Sequence, residues 1–386
     1  MSRKYLNIHV LITIVGANPN RDDTGTPKSL RYGGVERSRM SSQALTRAKR
    51  LGYENDPDGE RSYRSRQLGS HIGVAAEKLL REAGTNVDDE MRAKIELMAV
   101  TAVNKLVKAD TEPDKKGAKA ATTVERGGSP AAESAAGNDS GQTLVWLAEA
   151  EVISAARKIA SDLDGALDPA DFINTGRTAS LSIAAFGRMF AMRPHLQNEA
   201  AIQRAHAFTT HAASVDLDYF TAMDDLRNNA GHLGLKQNTG GVYYWHANID
   251  REQLTAVWDT TDVQDPARNL TALARHLLHD LPKGSQNNSA HHNLPVFVLI
   301  SEADAPVSLQ AAFEQPVTPG ADGGHVDGSI KALLLEHARN TTYAPALFGS
   351  SLSTGTHAEA AGVAAVDFPR ASAAVAAWVQ GNGLGR

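Results

Sequence analysis

The chain has 386 residues, 42% hydrophobic and 22% charged, the composition of a soluble globular protein and long enough for two or three domains or one large domain with insertions. It has no cysteine, which excludes disulfides, thiolate nucleophiles, iron–sulfur clusters and Cys-type zinc sites, and no apolar run near the roughly 18 residues of a membrane span. The net charge of −5 argues against a nucleic-acid partner, but residues 1–50 hold ten Lys or Arg against three acids, a local +7 that leaves −12 on the remainder and restores a basic footprint.

Arg3 and Lys4 precede an apolar stretch, but Asn7, His9 and Thr13 interrupt it. No signal peptide is expected and the chain is read as cytoplasmic. Leu6, Ile8, Val10, Ile12 and Ile14 alternate with their neighbours, which predicts a half-buried strand. Gly, Pro, Asn and Asp crowd residues 16–40 and predict an irregular loop. Ser41 or Ser42 can cap a short helix over 43–51. Its apolar side is Ala44, Leu45 and Ala48, while Gln43, Arg47 and Arg50 share another face. Helical spacing in Met91, Ile95, Met98, Ala102 and Leu106, and again in Leu144, Ala148, Val152, Ala155 and Ile159, marks residues 66–175 as a helical insertion. Its tip, 109–141, has Val124 as its one large aliphatic and too little apolar surface to offset its ordering entropy, so a mobile loop is expected there. Strand-like stretches follow at 180–192 and 205–211, then an acidic, Gly-rich, poorly periodic loop at 215–241. A strand at 242–249, a helix at 265–281 and a buried strand at 294–300 complete an interrupted βαββαβ order, the ferredoxin-like plan of many RNA-binding modules.

A helix N-terminus presents unpaired N–H groups and favours anions. Ser41, Ser42 and Gln43 add neutral donors there, and Arg39, Arg47 and Arg50 add charge. The set suits a phosphate backbone; a capped, solvated basic helix has the same composition. Tyr219, Phe220 and Thr221 lie in the acidic loop. They read either as a protruding wedge that stacks on or displaces bases or as an anchor of the loop to the core. His276 with His279, His291 with His292, and His206 with His211 lack convergent ligand spacing. Asp22–Asp23 and Asp224–Asp225 read either as carboxylates that hold a metal for phosphodiester cleavage or, the preferred reading, as cap, turn and surface carboxylates. No metal and no cofactor are expected, and no Walker A or dinucleotide-type Gly pattern occurs.

The segments LNIHVLITI, NRDD and GGVERSRMSSQALTRAKR, then GRM at 187–189, HAFTTHAASVDLDYFTAMDDL at 206–226, AGHLG at 230–234 and GGVYYWHANI at 240–249 cover about a third of the chain. In this order they resemble the backbone subunit of the CRISPR type I-E Cascade surveillance complex, the CasC family. The resemblance implies an α+β, hand-like protein. An RRM-like (ferredoxin-like) palm would span 1–65, 176–212 and 242–386, with helical fingers over 66–175 and a protruding thumb loop over 213–241. It implies several copies stacked as a helical filament along the crRNA spacer, each thumb displacing a base at regular intervals. The exposed guide would pair with target DNA in antiviral defence, beside other Cas proteins and with no enzymatic activity of this subunit.

By resemblance, Arg21, Lys28, Ser41, Gln43, Arg47 and Arg50 contact phosphates, with Arg39 and Ser42 as neighbours. Arg188 and Met189 belong to the palm surface under the RNA, and Tyr219, Phe220 and Thr221 to the displaced base. Lys115, Lys116 and Lys119 are candidate DNA contacts, a plain solubilising tip being the equal alternative, and Lys283 and His291 are further candidates for RNA. Thr46 stands where a basic residue is expected. Two other readings stay open: an endoribonuclease using Asp22 or Asp23, and a general single-stranded RNA binder.

Overall fold

A computed structural model describes residues 3–107, 144–190, 192–223, 230–261 and 263–384. The chain forms two compact units, one from Met1–Glu60, Ala184–Phe186 and Ala200–Arg386, the other from Arg61–Ile183 and Gly187–Glu199. In chain order the elements are β1 (Tyr5–Ala17), β2 (Ser29–Tyr32), β3 (Val35–Met40), α1 (Ser42–Asn55), β4 (Ser62–Ser65), α2 (Leu68–Glu82), α3 (Asp89–Val107), β5 (Val145–Ala148), α4 (Glu149–Ser161) and α5 (Leu181–Phe186). They continue as β6 (Ile202–Arg204), β7 (Ala207–Thr209), β8 (Asp216–Met223), β9 (Ala230–Asp250), α6 (Arg251–Val257), α7 (Pro266–His279), α8 (Gln286–Ser289), β10 (Phe297–Ala303), α9 (Val326–Tyr343), β11 (Phe348–Thr354), β12 (Ala364–Ala365) and α10 (Phe368–Val379).

The first unit is α+β. Its sheet runs β12-β11-β10-β1-β9-β7-β3-β2, with β6 and β8 also paired to β9. At its centre β1 lies between β10 and β9, antiparallel to both. Leu6, Ile8, Val10, Ile12 and Ile14 are buried as the alternation predicts, but so are Asn7, His9 and Leu11 on the other face. The half-buried expectation fails because helices and loops cover both sides. Trp245, in register with Val10, lies under the Lys49 ammonium of α1, 4.0 Å from the ring centroid. Leu11 and Tyr244 pack instead with Leu309, Phe313, Ile330 and Leu333.

Three further expectations are corrected. Residues 29–40 are the β2–β3 hairpin rather than an irregular loop. A buried cation holds it: Arg37 donates from Nε to Tyr32 O (3.2 Å), from Nη1 to Thr209 O (3.0 Å) and from Nη2 to Phe313 O (2.9 Å). The stretch 180–192 contains α5, not a strand; Ser180 Oγ accepts from Ile183 N, and the helix ends at Gly187 with φ 77. The stretch 215–241 is mostly an antiparallel ladder between β8 and β9, in which Leu217, Tyr219, Phe220 and Leu235 stay in solvent and so carry no burial periodicity.

In the second unit α2, α3 and α4 pack around Ile72, Ala76, Ile95, Ala99, Val152 and Ile159, and β4 pairs with β5. Its expected tip, with Lys115, Lys116 and Lys119, lies outside the described residues. Among the described residues no helix is long and apolar enough to cross a membrane.

Candidate nucleic-acid interface

The turn after β1 is tied to the start of α1. Asn20 Oδ1 accepts from Ser41 N at 2.8 Å, and Lys28 N donates to Asn20 O at 3.0 Å. Arg39 N donates to Lys28 O at 2.7 Å. Ser41 is the N-cap of α1, its Oγ accepting from Ala44 N at 3.2 Å. Lys28, Arg39, Ser41, Ser42 and Gln43 are thus gathered at one helix start. Gln43 and Arg47 follow one another on α1 with both side chains exposed, and Arg21 is exposed in the turn.

The first helical N–H is already occupied, because Ser42 N donates to His206 Nδ1 at 2.8 Å. His206 is therefore neutral on that nitrogen and keeps its proton on Nε2. Burial, then the charges of Arg39 and Lys28, hold its pKa below the ordinary 6.5. In the sequence Asn20 is one of several turn residues and His206 one of several scattered histidines, and the neighbours of neither show the long-range bond it makes. Thr46, where a cation was expected, instead receives Nη2 of Arg204 at 2.7 Å, a guanidinium whose Nε and Nη1 are buried.

Other expected contacts sit differently. Arg50 is 11% exposed in its side chain and ion-paired with Glu54, so much of its charge is balanced within the helix. Arg188 is a correction: it is 3% exposed in the second unit, with Nη1 2.6 Å from Glu151 Oε2 and Nη2 3.0 Å from Asn198 Oδ1. A buried, paired guanidinium is core structure and not a surface. Its neighbour Met189 is 79% exposed. His291 is buried against Pro282 O and Ser289 Oγ and braces its loop, whereas Lys283 is exposed. Asp22 is turned onto its own loop. Its carboxylate accepts from Thr24 Oγ1 (2.8 Å) and from the amides of Thr26 (2.9 Å) and Thr24 (3.0 Å), hydrogen bonds that hold its pKa below the ordinary carboxylate value.

The aromatic pair stands on β8. Tyr219 is 65% exposed and opposes Leu235; Phe220 is 39% exposed and opposes Gly234. A Cβ on Gly234 would fall 2.2 Å from the Phe220 ring, so only glycine lets the ring lie across the strand. Lys236 Nζ stands 4.6 Å from the same ring, and Thr221 is exposed beyond it. Phe220 is neither a core anchor nor a free tip: it is a side chain braced on its own hairpin. A cleft of about 380 Å³ at the hairpin base is lined by Arg21, Thr24, Asp218, Lys236 and Gln237. It brings the basic turn and the hairpin to one place within the first unit. Among the described residues no group of His, Asp and Glu is arranged to hold a metal.

A family model described as CT1975-like protein matches residues 6–380. No curated protein matches the chain. Among solved structures, a chain of a "CRISPR RNA-guided surveillance complex, pre-nicking" is similar at 27% identity and TM-score 0.74, covering 97% of this chain and 100% of that one. A chain of a "CRISPR RNA-guided surveillance complex" shares the fold at 23% identity and TM-score 0.64, covering 97% and 99%.

Proposed function

Because the chain belongs to the CT1975-like protein family, we propose that it is a subunit of a CRISPR RNA-guided surveillance complex, and within it the crRNA-binding backbone subunit of a type I-E Cascade. The observation that carries this reading is the end-to-end likeness to a surveillance-complex chain. The geometry is consistent with it. A subunit that coats any spacer must grip phosphate and sugar and leave base edges unread. Lys28, Arg39, Ser42, Gln43 and Arg47 offer cations and neutral donors around one capped helix start. The central order β10-β1-β9-β7, with α1 and α7 in its two crossovers, supports an RRM-like palm, and the β8–β9 hairpin supports the thumb. In this reading copies stack as a filament in the cytoplasm, Phe220 and Tyr219 displace a base, the guide pairs with target DNA, and the subunit does no catalysis.

Purification of the chain with its native RNA tests the proposal. Extracted RNA of one defined length is expected, with no cleavage of complementary RNA on adding Mg²⁺. RNA of mixed length would favour a general single-strand binder. Regular cleavage lost in Asp22→Ala or Asp23→Ala would favour the ribonuclease.

A further inference from the structure

The helix that carries Gln43 and Arg47 is fastened to the core at its other end, and the fastening contains a proton. His276 of α7 places Nε2 2.9 Å from Asp56 Oδ2, at the C-cap of α1, and Nδ1 2.8 Å from Asp280 Oδ2. A neutral imidazole has one N–H and can satisfy one carboxylate; the second ring nitrogen would then face an oxygen lone pair to lone pair. Both contacts are satisfied together when the ring is an imidazolium. Close approach makes the arrangement possible. A Cβ on Gly52 of α1 would lie 1.8 Å from Asp280 Oδ2 and 2.5 Å from His276 Nδ1.

We propose that His276 is a positioning residue for the RNA-contacting face of α1: its protonated ring ties Asp56 to Asp280, and losing the proton loosens α1 and weakens RNA binding. This rests on the RNA-binding reading above. From α1, Lys49 and Asp56 face the site; Lys49 Nζ donates to Asp280 O at 2.9 Å, and Asp56 Oδ2 also takes Arg275 Nη1 at 2.6 Å. From α7 and the residue that ends it come Arg275, His279 and Asp280, with His279 Nδ1 3.3 Å from Asp280 Oδ1. Arg268 pairs with Asp58 at 2.8 Å. From α10, Phe368 lies edge-on to His279, while Arg370 pairs outward with Asp367. A cleft of about 430 Å³ that also reaches Lys283, His291 and His292 gives the ring access to solvent.

Burial pulls the His276 pKa down, but the carboxylates of Asp280 and Asp56 outweigh it and the net shift is upward from 6.5. The sign follows. The clamp is complete below the unfolded value near 6.5 and is lost as pH rises through the higher folded value. His206, whose pKa is lowered, stays neutral over that rise and leaves the helix start unchanged.

The test is fluorescence anisotropy of the full chain with a mixed-sequence single-stranded RNA, from pH 6 to pH 8.5 at fixed ionic strength. Kd of the unaltered chain is expected to rise at least about fivefold, the lower end of ordinary coupling between sites. His276→Gln, which carries no titrating proton, should give a profile flat within about twofold on the same scale. Circular dichroism at each pH confirms that it is folded. Should it fail to fold, Asp56→Asn replaces it, because a neutral ring then satisfies Asp280 alone and the profile becomes shallow. A flat profile for the unaltered chain, or parallel profiles for chain and variant, overturns the proposal. Arg47→Ala at pH 6 separates the two readings: weakened binding with a flat pH profile sinks the clamp alone, and unchanged binding sinks the RNA-binding assignment.

Discussion

Replacing Arg47 by alanine should weaken RNA binding about equally for every sequence and flatten its salt dependence by one contact. The magnitude follows from which of the ten cations in residues 1–50 the fold leaves available. Arg37 and Lys49 are fully buried; Arg3 pairs with Asp304, Lys4 with Glu252, and Arg50 with Glu54. Arg21, Lys28, Arg31, Arg39 and Arg47 remain at least partly exposed. Each phosphate contact on a single strand contributes about 0.7 to the slope of log K against log salt, so this segment supplies a slope of at most about 3.5 per copy. Arg47→Ala should remove about 0.7 of it. A charge-assisted hydrogen bond is worth about 1.5–3 kcal/mol, so affinity at low salt should fall roughly ten- to a hundredfold. Arg50→Ala is the contrast: its charge is balanced by Glu54, so the slope should barely change while stability drops by about 2 kcal/mol. Anisotropy titrations over a KCl series with two unrelated RNAs measure both. A loss confined to one sequence, or an equal slope change for Arg47 and Arg50, would refute the reasoning.

Phe220→Ala should leave stability within about 1 kcal/mol, because the ring is partly exposed and packs on its own hairpin; it should instead impair filament order, seen by electron microscopy on RNA. A large drop in melting temperature would return Phe220 to the core. Arg37→Met strands the carbonyls of Tyr32, Thr209 and Phe313 and should cost about 3 kcal/mol or more in urea unfolding; a near-neutral result would show that the β2–β3 hairpin does not depend on that guanidinium. Acid should destabilise the sheet through His246, whose pKa burial lowers to about 4. The unfolded chain binds the proton from 6.5 downward, so stability is full above that value and falls by up to about 3 kcal/mol as pH drops towards 4. The acid limb of urea unfolding should flatten in His246→Gln, and an unchanged limb would exclude this histidine as its source.

The sequence pattern disclosed what local physics determines. The alternation over Leu6–Ile14 is β1, Ser41, one of the two serines read as a cap, is the N-cap of α1, and the spacing after 265 is α7. These signals depend on neighbours a few positions apart. The hairpin β8–β9 was not legible because Leu217, Tyr219 and Leu235 are exposed, and a strand whose two faces meet solvent has no apolar period to read. Nor was β1's second buried face, since Asn7 and His9 look polar until Tyr244 and His246 are stacked beside His9.

The candidate site divides along the same line. Gln43 and Arg47 could be placed on their helix from spacing alone. Which cations face a ligand could not, because charge is cancelled by partners distant in sequence. Glu151 takes Arg188 from 37 positions away, and the carbonyl of Asp280 takes Lys49 from 231. A basic run therefore bounds the number of phosphate contacts from above, and only the fold sets the number. The clamp at His276 is hidden from the sequence for the same reason. Its histidine was one of several scattered along the chain, and it becomes distinctive when Gly52 lets two carboxylates from different helices reach the same ring.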